Sequence, residues 1–364
     1  SGVTGTGQLG IALSPTATIF GLGGVVVPVA HPAGETYNRA TLAWTNHSGG
    51  AWENAANWDG GVIAEGVGDV PTFGNYDVVA DTQVVLGAPH TVSGLVFGDA
   101  DPATAASWTI SNNGNAANTL TFDTVSGAPV VTVNALGAGA TATLNAVLTG
   151  DSGFSKAGAG VLALTQPVEI AGTLNVTAGT LRLYPGSNYT PATISVAAGT
   201  GRLEVDGGTL STTGATTVNG NGGALVVKSG VAQLAAVNTN NSTNNLIRVE
   251  GGVFSASSIN IPRSSDATPS FAFGLVVTGG EATVAGTIGV GTNNSWGSMS
   301  VEGGSLTVGG AVTLGNQASA GRGGQLRVTG GTFVVTNEAE GLVINRRAGN
   351  VARANFSGGT ALIE

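Results

Sequence analysis

The C-terminal part of the chain, residues 205–364, is built from short runs in which apolar residues alternate with small or polar ones. Each run follows a pair of small residues, usually two glycines, as in EGGVFSASSI, EGGSLTVGG and TGGTFVVTN. The pairs begin at positions 207, 229, 251, 279, 303, 330 and 358, which are 22 to 28 residues apart. Because successive side chains of a strand point to opposite sides, the alternation predicts β-strands with one buried face.

An internal repeat of this length, with strands and no helical segment between them, predicts a β-solenoid. Each repeat forms one coil, and neighbouring coils cover its apolar face. A glycine before each strand suits a corner, because glycine readily adopts positive φ. We therefore expect an all-β fold, a parallel β-helix of about ten coils at roughly 25 residues per coil.

The pattern divides the chain into three parts. Residues 1–30 are an apolar N-terminal segment, residues 31–119 a Trp-rich β region that caps the solenoid, and residues 120–364 the solenoid repeats. The last repeat phrase, at residues 357–364, is unfinished, which suggests a protein that continues beyond it.

The N-terminal segment contains an uncharged apolar run, TATIFGLGGVVVPVA, at residues 16–30. It is shorter than the roughly twenty residues that a membrane-spanning helix needs, so we expect no membrane span in this chain. Three interpretations remain: a pair of core strands, a strand donated to another molecule, or the remnant of an export segment. The donated-strand interpretation rests on the ability of an apolar terminal strand to complete an open sheet edge.

Head-to-tail self-association follows from the donated-strand interpretation. The N-terminal strand of one copy would complete or cap the last coil of the next, since open coil ends are unpaired edges. The residues predicted to take part are Ile19, Phe20, Val25, Val26, Val27, Ala361, Leu362 and Ile363. The alternative is a monomeric segment of a longer surface protein.

Three tryptophans, Trp44, Trp52 and Trp58, lie within fifteen residues of each other. Exposed indoles stack on the faces of sugar rings, so one interpretation is a binding platform for a surface polysaccharide. The alternative is that the three rings close the end of the solenoid core, because a β-helix must cover its terminal coil.

Candidate metal ligands are few. Asp99 and Asp101 offer oxygen ligands for calcium, but the sequence contains no EF-hand or RTX-type loop, so ordinary turn chemistry is the alternative. The histidines lie far apart without ligand spacing, and we interpret each as a turn or surface residue: His31, His47 and His90. We expect no cofactor other than, at most, calcium.

Composition narrows the classes of function. Only 9% of residues are charged, against about a quarter in an average globular domain, and serine, threonine and asparagine supply the polar exterior. The sequence pI of about 4.7 and twelve scattered basic residues exclude a nucleic-acid surface. The absence of cysteine excludes disulfide bonds and thiolate metal sites.

One phrase, LTGDSGFSKAGAGVLALTQPVEIAGTLNVTAGTLRLYPGS at residues 148–187, is more specific. It resembles the autotransporter-associated β-strand repeat, also called the passenger-associated transport repeat, whose pattern is approximately L-x-K-x-G-x-G-x-L-x-L, a short excursion, then G-x-T-x-V-x-x-G-x-L-x-L. The matching residues are Phe154, Lys156, Gly158, Gly160, Leu162, Leu164, Gly172, Val176, Gly179, Leu181 and Leu183. The phrase departs from the family at Leu174, where the pattern has threonine, and at residues 165–172, which replace its usual turn.

The resemblance implies a right-handed β-helix in a secreted or surface-displayed bacterial protein. Members of that family are passengers, stalks or adhesin-like bodies, and the repeat itself is not associated with catalysis. The full pattern occurs once, over about thirty residues, while the later coils share only its rhythm of glycine and strand.

Parallel β-helices also include polysaccharide lyases and glycoside hydrolases, whose chemistry needs clustered carboxylates or bases. Asp206, Glu250 and Glu302 precede three of the small-residue pairs and would stack in a column, but Ser229 and Thr278 interrupt it. Finding no catalytic cluster, we predict no enzymatic activity. The preferred interpretation is an extracellular structural solenoid, a stalk or self-assembling fibre subunit on a bacterial surface. A carbohydrate-binding adhesin is the alternative, and a polysaccharide lyase or hydrolase the third.

Overall fold

The computed structural model describes residues 19–20, 26–27 and 42–364, except for residues 198, 241–243, 263–269, 293–294, 316–322 and 345–351. Helical structure in the described residues is limited to two short 3₁₀ turns, Ala55–Asn57 and Asp59–Gly61. No helix in this part of the chain is long and apolar enough to cross a bilayer. The all-β prediction is confirmed.

Strands account for about half of the described chain. In chain order they are β1 (Ile19–Phe20), β2 (Val26–Val27), β3 (Gly50–Ala51), β4 (Thr72–Phe73), β5 (Thr82–Val85), β6 (His90–Val92), β7 (Gly94–Phe97), β8 (Trp108–Ser111), β9 (Leu120–Phe122), β10 (Val130–Val133), β11 (Thr141–Asn145), β12 (Leu148–Gly150), β13 (Phe154–Ala157), β14 (Val161–Leu164), β15 (Val168–Ile170), β16 (Thr173–Val176), β17 (Thr180–Leu183), β18 (Asn188–Tyr189), β19 (Thr193–Val196), β20 (Arg202–Ser211), β21 (Thr216–Val218), β22 (Ala224–Thr239), β23 (Leu246–Val249), β24 (Val253–Ile261), β25 (Gly274–Val277), β26 (Glu281–Val284), β27 (Ile288–Val290), β28 (Gly297–Val301), β29 (Ser305–Val308), β30 (Val312–Leu314), β31 (Gly324–Val328), β32 (Thr332–Val335), β33 (Leu342–Ile344), β34 (Arg353–Phe356) and β35 (Thr360–Ile363).

From β3 onward the strands pair in parallel, each with the equivalent strand of the next coil, and form a solenoid of about 11 turns with three faces. The first sheet contains β3, β5, β8, β11, β14, β17, β20, β22, β23, β25, β28, β31 and β34. The second contains β6, β9, β12, β15, β18, β20, β22, β24, β26, β29, β32 and β35. The third contains β4, β7, β10, β13, β16, β19, β21, β22, β24, β27, β30 and β33. Three long strands, β20, β22 and β24, bend around corners and so belong to more than one sheet.

The core is a set of columns in which equivalent inward side chains stack from coil to coil. Leu181, Leu203, Leu225 and Ile247 form one column of the first sheet, and all are at most 1% exposed. Burying each such side chain stabilises the fold by about 1.5–3 kcal/mol relative to leaving it in water. The alternation read from the sequence therefore corresponds to the inner and outer faces of each sheet.

The glycine pairs lie at the corner between the first and second sheets. At Gly331 the backbone has φ of +64°, and a Cβ atom there would lie 2.4 Å from the carbonyl oxygen of Gly304, the equivalent residue one coil earlier. A side chain is therefore excluded both by backbone conformation and by the close approach of the neighbouring coil. This explains why the sequence repeats glycine at this corner.

The parallel ladder also includes residues before Leu120, where the sequence prediction places the first coil. Strand β5 pairs with β8, and β8 pairs with β11, in the same first sheet that continues to β34. The pairing scheme does not change at residues 119–120. The short strands of the Trp-rich region are thus the first coils of the solenoid, and an aromatic cluster lies at their N-terminal end.

Candidate functional site

The three tryptophans that were candidates for sugar stacking lie inside the N-terminal end of the core. Trp44 and Trp52 are 0% exposed and Trp58 is 3% exposed. The ring of Trp58 contacts both other indoles edge to face, with ring centroids 5.2 Å from Trp44 and 5.0 Å from Trp52. The interpretation of these three tryptophans as a sugar-binding platform is therefore wrong, because none of their indole faces is available to a sugar.

The indole N–H groups support a capping role for the same residues. Trp44 Nε1 donates to the Asn46 carbonyl at 2.7 Å, Trp52 Nε1 to Ala64 at 3.0 Å, and Trp58 Nε1 to Trp52 at 2.7 Å. A buried indole needs such a partner, and here each of the three N–H groups has a backbone carbonyl. The cluster lies at the N-terminal end of the described core.

His90, interpreted from the sequence as a turn or surface residue, is 5% exposed on β6. Its Nε2 lies 2.8 Å from Glu53 Oε1, and its Nδ1 contacts the Glu65 carboxylate. Both contacts are hydrogen bonds only when the ring is protonated, because neutral imidazole has one N–H donor. Burial alone would raise the pKa of Glu53, but hydrogen bonds from His90 and from the Gly87 backbone lower it. His47 stacks on Tyr76, and His31 lies outside the described residues.

Asp99 and Asp101, the calcium candidates, use their carboxylates to hold the local turn. Asp99 Oδ1 accepts from the amides of Val78 at 3.1 Å and Asp101 at 3.0 Å, and Asp101 Oδ1 accepts from Ala103 at 3.2 Å. The part of the chain that the structure describes holds no group of three or more His, Cys, Asp or Glu side chains that could hold a metal. Carboxylates that accept from nearby backbone amides are typical of turns, so these contacts support the interpretation of Asp99 and Asp101 as turn residues.

The predicted assembly residues lie at the two ends of the chain. Ile19–Phe20 pairs antiparallel with Val26–Val27, and Val25 lies outside the described residues. At the other end, Ala361, Leu362 and Ile363 belong to β35, which is exposed along its length. Among the described residues, the two groups do not contact each other.

The last strand presents core-type positions to solvent. Ala361 stacks on Phe333 and Ile363 on Val335, and both of those partners are fully buried. Ala361 and Ile363 thus continue inward columns but have no further described coil to cover them. Leu362, in contrast, stacks on the outward residue Val334. The end of the ladder is an apolar cross-section of the core.

Lys156, from the phrase that resembles the autotransporter repeat, occupies a core position. It is 0% exposed, stacks between Val131 and Val176, and its Nζ donates to the carbonyls of Ala157 at 2.8 Å, Gly158 at 2.8 Å and Ala178 at 3.0 Å. An ammonium group has three N–H donors, so all three are satisfied by corner carbonyls of two successive coils. Desolvation by burial lowers the pKa of Lys156 to about 8.

A second charged group, missed by the sequence analysis, lies on the outer face of the first sheet. The carboxylate of Glu204 accepts from Arg182 Nε at 2.5 Å and Lys228 Nζ at 3.0 Å, and it also contacts Arg202 Nε. We call these four residues the Glu204 cluster. Burial alone would raise the pKa of Glu204, but the hydrogen bonds from Arg202, Lys228 and Arg182 lower it to about 2.

The sequence does contain a signal for this cluster. Arg182, Glu204 and Lys228 are 22 and 24 residues apart, which is one repeat each, and Arg202 is two residues from Glu204 on the same side of a strand. Arg182 and Glu204 are direct ladder partners. Charges spaced by one repeat therefore stack on neighbouring coils, as apolar residues do in the core.

Charges are distributed unequally over the three faces. In the described chain, every lysine or arginine other than the buried Lys156 belongs to a strand of the first sheet: Arg182, Arg202, Lys228, Arg248, Arg327 and Arg353. Apart from the long strand β20, which the first and second sheets share, the described strands of the second sheet carry the acidic residues Glu169 and Glu281. Among the described residues, the first sheet thus carries the accessible cations of an acidic chain.

Two surface grooves lie between neighbouring coils in the described residues. Glu340 is the carboxylate that lines one groove, and Glu169 the carboxylate that lines the other. General acid–base cleavage of a sugar bond uses a pair of carboxylates or an equivalent acid and base. Neither groove brings such a pair together.

Comparison with known proteins gives one partial similarity. No protein family matches the chain, and no solved structure matches it. A stretch of 173 residues, 45% of the chain, is 31% identical to the adhesin BmaC autotransporter of Brucella suis biovar 1 (strain 1330). That match covers 4% of the adhesin, so the chain is similar to a small part of a much longer autotransporter protein.

Proposed function

We propose that this chain is a structural β-solenoid passenger that acts as a stalk on the surface of a bacterial cell. The observation that carries the proposal is the parallel ladder of about 11 turns, which runs from the aromatic cap to β35. In such a ladder the backbone hydrogen bonds lie along the rod axis and add from coil to coil, so the body resists bending and stretching. At about 4.8 Å per coil the rod is about 50 Å long.

The similarity to an autotransporter adhesin supports a secreted or surface location. The phrase at residues 148–187 supports membership of the autotransporter-associated repeat family, because two of its defining residues have a physical role here. The ammonium group of Lys156 donates to three corner carbonyls, and Gly158, whose carbonyl accepts one of these hydrogen bonds, has φ of +74° at that corner. We also propose that the chain is not an enzyme, since neither groove pairs two carboxylates.

The stalk role is tested by the shape and location of the protein. Small-angle scattering of the full chain should give a rod with a cross-section that does not change with ionic strength, and antibodies against the chain should label intact cells. External protease should remove that label. A globular particle, or label that appears only after the cells are permeabilised, would contradict the proposal.

A fibre subunit is the second candidate, favoured by the exposed core positions Ala361 and Ile363 on the last strand. In this proposal the strands Ile19–Phe20 and Val26–Val27 of one copy cover that cross-section in the next. Electron microscopy of the full chain and of a chain without residues 1–30 tests it. Filaments from the full chain that disappear on deletion are expected, and filaments that persist unchanged would exclude the mechanism.

A further inference from the structure

The Glu204 cluster has an excess of positive charge that faces solvent. Arg182, Arg202 and Lys228 surround a single carboxylate. The cluster of four residues therefore contains three cations and one anion. The three cationic side chains are 23%, 34% and 29% exposed, whereas Glu204 is 3% exposed. A molecule that approaches this face therefore meets the cations before it meets the carboxylate.

The cations are held in place before any ligand arrives. Arg182 donates from Nε to Glu204 and from Nη1 to the Tyr184 hydroxyl at 2.9 Å, and its guanidinium lies 5.7 Å from the centre of the Tyr184 ring. A guanidinium has five N–H donors, so Arg182 and Arg202 retain donors beyond those that contact Glu204. Side chains fixed in this way lose little entropy on binding, which favours affinity.

The spacing of the cations follows the coils. Arg182, Arg202 and Lys228 belong to three successive coils, and Arg248 lies on the fourth, paired with Glu250 at 2.8 Å. Arg182 stacks directly on Glu204, whereas Arg202 lies two residues before Glu204 and Lys228 two residues after its ladder partner Val226. The cations are therefore staggered around Glu204 over three coils, which are about 4.8 Å apart. A polymer that carries several anionic groups can contact cations staggered over three coils at more than one point, whereas a single small anion contacts them at one.

Side chains with hydroxyl groups lie next to the Glu204 cluster. Thr180 lies on the same outer face of β17 as Arg182, Tyr184 contacts Arg182, and Ser229 follows Lys228 and donates to Asp206 at 3.2 Å. Hydroxyls serve as donors and acceptors for sugar hydroxyls. Asp206 and the net charge of -9 oppose polyanions in general, so the ligand favoured here is one whose anionic groups are accompanied by sugar hydroxyls.

We propose that the Glu204 cluster is a binding site for a linear anionic polysaccharide, whose carboxylate or sulfate groups contact Arg182, Arg202 and Lys228 along the first sheet. The site is distinct from the tryptophan cluster, and the proposal does not depend on the stalk role. Binding is expected to weaken as ionic strength rises, because the contacts are partly exposed ion pairs.

The test uses the full chain and immobilised polygalacturonate, dextran sulfate and neutral dextran. The wild type should bind one or both anionic polymers at low ionic strength and should not bind dextran. The double variant Arg202→Gln, Lys228→Gln should bind at least about tenfold more weakly. The double variant Arg327→Gln, Arg353→Gln has the same net charge and alters the same sheet away from the cluster, so its affinity should stay within about twofold of the wild type.

A third variant tests the direction of the effect and guards against misfolding. Glu204→Gln removes the competing charge but keeps an amide oxygen that accepts hydrogen bonds from the cations, so it should bind more tightly than the wild type, provided that its circular dichroism spectrum is native. The proposal is overturned if neither anionic polymer binds, or if both double variants lose affinity equally. It is also overturned if duplex DNA binds more tightly than either polysaccharide, or if sedimentation shows that the cluster instead joins copies of this chain.

Discussion

At the scale of single residues, Lys156 shows how a charge is accommodated in the core of a thin solenoid. Its aliphatic stem stacks between Val131 and Val176, while its ammonium group reaches the corner and satisfies carbonyls of two coils. This arrangement explains why lysine and glycine occur together in the motif. The lysine needs carbonyl groups turned toward it, and the positive φ of Gly158 belongs to the corner that turns them.

The first prediction concerns the pH dependence of stability. Desolvation lowers the pKa of Lys156 to about 8 from the ordinary 10.5, so between these values the unfolded chain binds more protons than the folded chain. The contribution of Lys156 to the free energy of unfolding therefore rises with pH over this interval, by about 3 kcal/mol at most. Urea unfolding of the wild type and Lys156→Met at neutral pH and above pH 10 measures it.

Lys228 provides the control, because it is the only other lysine of the chain and is 29% exposed. The stability difference between the wild type and Lys156→Met should grow in favour of the wild type as pH rises. The difference for Lys228→Met should not follow that course. In the native protein, an amine reagent should modify Lys228 and spare Lys156. A pH-independent difference for Lys156→Met would show that its ammonium group is not desolvated.

The second prediction concerns acid. Hydrogen bonds from three cations outweigh burial and lower the pKa of Glu204 to about 2, against an ordinary value of 4.5. The stability that Glu204 contributes is thus present above pH 4.5 and is lost as pH falls toward 2. Glu204→Gln should be about 1–3 kcal/mol less stable than the wild type at pH 7, and the gap should narrow in acid. Glu281→Gln, on the exposed second sheet, should show no such gap.

At the scale of strands and corners, glycine has two separable roles, which the third prediction distinguishes. Gly331 combines φ of +64° with a neighbouring carbonyl 2.4 Å from any added Cβ atom, whereas Gly114 has φ of +78° and open space around it. Gly114→Ala should cost about 1–2 kcal/mol from backbone strain alone. Gly331→Ala should cost more, because adjacent coils must also separate. Thermal unfolding measures both, and equal losses would show that coil contact does not select the glycine.

The same scale shows what the sequence could predict. Period-2 alternation and recurring glycine pairs are local signals, so the strands, the corner and the parallel stacking of β23 to β35 were predictable. The contacts of His90 were not, because they depend on which residues the N-terminal coils bring together across 25 and 37 positions. The burial of the tryptophans was one of two interpretations that the sequence left open. The Glu204 cluster could have been predicted in part. Its members follow the repeat spacing, but the alternating apolar pattern used to find the coils gives no weight to charge.

At the scale of the whole molecule, the two ends of the rod differ. The described core begins with aromatic rings whose indole N–H groups are satisfied, whereas the last strand exposes apolar side chains, with Leu362 48% and Ile363 41% accessible. Exposed strand edges and apolar cross-sections favour association with another strand. The fibre proposal therefore predicts that association of this chain involves β35.

The fourth prediction uses the alternation of β35 to test this end. Ile363 continues the buried column of Val335, and Leu362 is its outward neighbour, so the two residues have similar exposure but face different directions. If another strand covers the core cross-section, Ile363→Asp should abolish concentration-dependent association in sedimentation experiments, while Leu362→Asp should leave it nearly unchanged. Equal effects would indicate a nonspecific apolar contact. If the wild type remains monomeric at every concentration, the fibre proposal fails, and the stalk proposal stands on the rod shape and surface location alone.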